Sequence, residues 1–115
     1  MATTFLLLFS GGRMPEGDEE TKQVMTAWEN WMGKYHESIT DPGNPFTPVA
    51  KTIGADGSVG DAPAGGPSGY TVLKAGSLEE AVNIAKECPV RLGGATITVN
   101  ETFDAMSMAG AAHDH

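Results

Sequence analysis

Alternation is the first pattern the chain presents. Over residues 3 to 9, Phe5, Leu7 and Phe9 fall on one side of an extended segment and Leu6 and Leu8 on the other. A strand that is apolar on both sides is one covered on both sides. The loop composition of "GGRMPEG" follows, and Asp18 then caps a helix whose first turn carries Glu19 and Glu20, favourable at the positive end of the helix dipole. Val24, Trp28, Trp31 and Tyr35 recur at spacings of four, three and four, which predicts one apolar stripe on a helix running to about Glu37. Gly33 inside it costs about 1 kcal/mol relative to alanine and implies a close contact or an early end.

The second half repeats this order on a smaller scale. "TPVAKTIG" (47 to 54) and "YTVLKA" (70 to 75) read as strands, and "ADGSVGDAPAGGPS" between them reads as loop. Ser77 with Glu80 forms a capping box, opening a helix with Leu78, Ala81, Val82 and Ala85 on one face and Pro89 as its stop. "ATITVNETF" (95 to 103) alternates strictly, with Ala95, Ile97, Val99 and Phe103 on one side and Thr96, Thr98, Asn100 and Thr102 on the other. The order is β-α-β-β-α-β. It predicts an α+β, ferredoxin-like domain over residues 1 to 104: a four-stranded antiparallel sheet, two helices on one face and the first strand central. The tail from 105 to 115 has no periodicity and is expected to be mobile. Helices on one face leave the other side of the first strand uncovered, and an apolar patch of that kind is a liability on a monomer. A homodimer packed sheet to sheet, with a cavity between the sheets or at their edges, follows.

Charge and composition narrow the function classes. The 115 residues suffice for one modest core, and a net charge of -8 with no Lys/Arg cluster disfavours nucleic acid and anionic membranes as partners. The apolar opening lacks a basic lead-in and ends at Phe9, too short for a signal peptide or membrane span, so a cytoplasmic location is expected. The lone Cys88 has no partner for a disulfide and no companions for zinc.

Taken together, the opening strand, the Trp28-x-x-Trp31 helix, "DPGNPF" (41 to 46) after it, the "SLEEAVNIAKECP" helix and the closing "TITVNETF" strand resemble the YCII-related family, in its subgroup of small bacterial proteins. The resemblance reaches from the start of the chain to about Phe103. It implies the fold of the dimeric α/β barrels, and in some relatives a catalytic His-Asp pair. In this sequence those positions fall near Trp28 or Trp31 and near Gly11 or Gly12, so neither partner is present. The loop motif of a sibling subgroup is altered too: Asp61 and Gly66-Pro67 stand, but Ser68 replaces the expected phenylalanine. The family's acid-base chemistry therefore does not carry over, and no cofactor or metal is called for.

Candidate site residues follow from residue chemistry. Pro42 and Gly43 suit the centre of a type II turn, and Asn44, held extended by Pro45, keeps its amide free; the stretch is either a plain turn or a rigid binding loop. Asp41, Asn44 and Tyr70, with Trp28 offering an indole N–H, are the candidate ligand-binding set. Glu101, Asp41 and His36 are the acid-base candidates. Glu101 shares the apolar side of its strand, where a carboxylate is costly unless it reaches solvent or serves a pocket rim. His36 also suits the helix C-terminus, where the dipole favours a cation. The terminal "HDH" is a nonspecific chelator at most. Two readings stand: a dimer that binds or transforms a small metabolite, and a noncatalytic dimeric module.

Overall fold

A computed structural model of the chain describes residues 2 to 105. Its elements are β1 (Thr3–Ser10), α1 (Gly17–Lys34), β2 (Ile39–Asp41), β3 (Lys51–Ile53), β4 (Val59–Asp61), β5 (Pro67–Ala75), α2 (Leu78–Ala85), a 3-10 turn (Pro89–Gly93) and β6 (Thr96–Glu101). The protein is α+β. Its main sheet is four-stranded and antiparallel, in the order β2-β5-β1-β6, and β3 and β4 form a separate two-stranded sheet.

The alternation of β1 sets the two sides of this sheet. Phe5, Leu7 and Phe9 are buried under the helices with Leu73 and Ala75 of β5, Trp31 of α1, and Ala81, Ile84 and Ala85 of α2. Both helices thus cover the same face. Trp31 fills volume and also satisfies its polar edge, since its indole N–H donates to the Ile84 carbonyl at 3.0 Å and so ties α1 to α2. Near this junction Glu87 accepts from Lys34 Nζ at 2.7 Å and from the Tyr35 hydroxyl. Those bonds, the Lys34 one foremost, hold the Glu87 carboxyl below its ordinary range. Cys88 is a buried core residue, and desolvation pushes its thiol up to about 11.

Three expectations are corrected. The edge strand beside β5 is Ile39–Asp41, not the segment 47 to 54. Within that segment Lys51–Ile53 pairs locally with Val59–Asp61, inside the expected loop, and all six residues are exposed. The pairing is a tight hairpin, with Gly57 at positive φ and Asp56 Oδ1 accepting from the Ser58 N–H at 2.9 Å. Local turn chemistry, not a core, therefore explains its apolar residues. Third, α1 starts at Gly17 without a side-chain cap and ends at Lys34, directly after an open, solvent-facing Gly33. The α2 start is as read: Ser77 Oγ accepts from the Glu80 N–H at 3.1 Å.

Candidate functional site: the uncovered sheet face

The side of the main sheet away from the helices is built by the other half of each alternation. Register places Val72, Leu6 and Asn100 in one row and Tyr70, Leu8 and Thr98 in the next. Asp41 extends the first row, opposite Val72. Phe46 extends the second, its ring 6.0 Å from that of Tyr70. Leu6, Leu8, Val72 and Tyr70 are half-buried by one another, and Phe46 is 47% exposed beside them. The result is an apolar stripe two rows deep, flanked by threonines, an asparagine and an aspartate. The Asn100 amide donates across the pair to the Leu6 carbonyl at 3.1 Å, which fixes that side of the stripe.

The loop from Asp41 to Phe46 is pinned along β5 rather than hanging from it. Asp41 Oδ1 accepts from the Gly43 N–H at 2.9 Å, the Pro42 carbonyl accepts from the buried Thr71 hydroxyl at 2.8 Å, and the Phe46 N–H donates to the Ser68 carbonyl at 2.8 Å. Pro45 bridges to Gly69. Gly43 has φ of 70° and lies so close to β5 that a Cβ there would stand 1.8 Å from the Tyr70 carbonyl oxygen. Against that fixed frame the Asn44 amide and the Tyr70 hydroxyl have no hydrogen-bond partner among the described residues. Both remain available at the margin of the stripe.

The candidate residues do not all meet. Asp41, Asn44 and Tyr70 come together around the loop and its contact with β5. Trp28 lies on the other side of the sheet, half-buried edge-on to Phe9 at 6.3 Å and to Trp31 at 5.6 Å between ring centres. Glu101 ends β6 opposite Phe5 and is exposed, so its carboxylate leaves the sheet at the outer edge. His36 is exposed beyond α1, with Nδ1 3.1 Å from the Gly33 carbonyl. A carbonyl only accepts, so Nδ1 carries the proton and the ring closes the helix end. The "HDH" motif lies outside the described residues. Among the described residues no group of three or more His, Cys, Asp or Glu is placed to hold a metal ion, and no helix is long and apolar enough to cross a membrane. Residue-by-residue reading missed Thr71, the anchor of the loop, and Asn100. The period of two in β5 and β6 carried the signal for both.

The sequence matches no protein-family model and no curated protein.

Proposed function

We propose that this chain is a YCII-related, ferredoxin-like protein that forms a cytoplasmic homodimer through its uncovered sheet face and binds a small metabolite beside that sheet. The order β2-β5-β1-β6, with β1 inside and both helices on one face, supports the ferredoxin-like reading. One observation carries the dimer: Leu6, Leu8, Val72 and Tyr70 make a contiguous apolar stripe on a face that no helix of the described chain covers. Such a stripe is removed from water by packing against its own copy about a two-fold axis. The free Asn44 amide and Tyr70 hydroxyl would then address a ligand at the stripe's margin, with Phe46 as an aromatic wall.

Sedimentation equilibrium at micromolar concentration tests this reading. A dimer is expected for the native chain and a monomer for Leu8→Lys, because the change buries an unpaired ammonium in the interface. A native chain that sediments as a monomer would reject the proposal. The second reading, a noncatalytic dimeric module, is favoured by the Asp41 carboxylate, which is engaged by its own turn. Thermal melts of the dimer with a panel of small aromatic and keto acids separate the two, since only a binder is stabilised by mass action.

A further inference from the structure

A groove of about 350 Å³ opens between α2 and β6, on the helix-covered side of the sheet at its outer edge. It exists because α2 is only eight residues long and β6 is the last strand, so Ile97 and Val99 are only partly covered. Val82 and Ala85 from the helix complete an apolar floor, and Lys86 and Arg91 stand in its lining. Among the described residues no aspartate or glutamate lines it, although the chain has fifteen of them and a net charge of -8. Three of the seven basic residues, Arg13, Lys34 and Lys51, are paired with Glu20, Glu87 and Asp61. Neither Lys86 nor Arg91 forms an ion pair with a described carboxylate. Arg91 is also held in place, its Nη1 donating to the Lys86 carbonyl at 2.6 Å, and the rest of its guanidinium fork has no partner among the described residues.

We infer that this groove binds a small monocarboxylate with an apolar body: the body lies on Val82, Ala85, Ile97 and Val99, and the head meets Arg91 and Lys86. The volume lies at the low end for small-ligand sites, which suits a medium-chain or single-ring acid. The site is on the other side of the sheet from the uncovered face and does not depend on the function proposed above.

Titration of the full chain with octanoate, followed by amide chemical shifts, tests the inference, with 1-octanol and octylammonium as neutral and cationic probes. Octanoate is expected to move the amides of Val82, Ala85, Ile97 and Val99 and to bind more tightly than either control. Affinity should rise along butyrate, hexanoate and octanoate by up to about fourfold per buried methylene. The double variant Lys86→Gln, Arg91→Gln should bind octanoate about tenfold more weakly with octanol unchanged. Val82→Trp, which fills the groove from a position on α2 that is 36% exposed, should abolish the shifts while circular dichroism stays native. No shift at these positions, shifts confined to Leu6, Leu8 and Tyr70, or octylammonium binding as well as octanoate would each overturn the inference.

Discussion

Gly43 rests directly on the backbone of Tyr70: a Cβ added at position 43 would lie 1.8 Å from the Tyr70 carbonyl oxygen and 2.7 Å from its carbon. The obstacle is main chain inside a paired strand and cannot rotate away. The residue also holds φ at 70°, where an L side chain is strained. Gly43→Ala therefore combines a backbone conflict with an overpacked contact, at about 2–4 kcal/mol. Urea denaturation should show that loss with an unchanged slope. A variant within about 0.5 kcal/mol of the native chain would show that the loop lifts off β5 freely.

The parts of the fold that could be read in advance are those in which burial repeats at the period of an element. Phe5, Leu7 and Phe9 gave the core side of β1, Trp28, Trp31 and Tyr35 the stripe of α1, and Ile97 and Val99 the inner side of β6, each matched by what the residue packs on. β2 was not legible because three residues, Ile39 to Asp41, are too short to show a period, and their pairing comes from Ile39 reaching the core. The opposite error arose over 47 to 54, where Val49 and Ile53 are 87% and 71% exposed: Ile53 belongs to a hairpin arm, Val49 to the loop before it, and neither to a buried strand. The candidate site was half legible for the same reason. Periodicity assigns a residue to one face of its own element, but only the assembled sheet shows that Trp28 and Tyr70 lie on opposite sides of it.

Trp28 and Trp31 look alike in sequence and should behave differently. Trp31 is 4% exposed and its N–H ends on the Ile84 carbonyl, whereas Trp28 is half-buried with no such bond among the described residues. Trp31→Phe removes a buried hydrogen bond together with ring volume and should cost about 2–3 kcal/mol. Trp28→Phe retains an aromatic edge against Phe9 and should cost less than about 1.5 kcal/mol. Equal losses in chemical denaturation would contradict the division of labour between the two indoles.

Cys88 gives the fold an alkaline limit. Its thiol is raised from 9.0 to about 11 by burial, so between those values the unfolded chain releases a proton that the folded chain retains. The unfolded state then binds fewer protons, and stability falls as pH rises. The thiol's contribution is whole below about 9 and is lost as the pH climbs through about 11. Cys88→Ala should flatten the stability profile across that window, and a disulfide reagent at pH 8 should label the native chain no faster than the chain opens. Rapid labelling at neutral pH would place the thiol at the surface and defeat the account.

The last contrast lies within "DPGNPF" itself. Asp41 and Asn44 flank the same turn, yet only Asp41 serves it, through the 2.9 Å bond to the Gly43 N–H. Asp41→Ala should lower stability by about 0.5–2 kcal/mol, as other lost side-chain bonds to backbone N–H groups do. Asn44→Ala removes an exposed amide with no partner among the described residues, and Thr71 and Ser68 still hold the loop, so its stability should stay within about 0.5 kcal/mol. The same variant reports on function: where a small aromatic or keto acid raises the melting temperature of the native chain, Asn44→Ala should reduce that shift without changing the unliganded melt. A destabilised Asn44→Ala with undiminished ligand shifts would mean that the amide belongs to the scaffold, and the binding margin would have to be sought at Tyr70 and Phe46 alone.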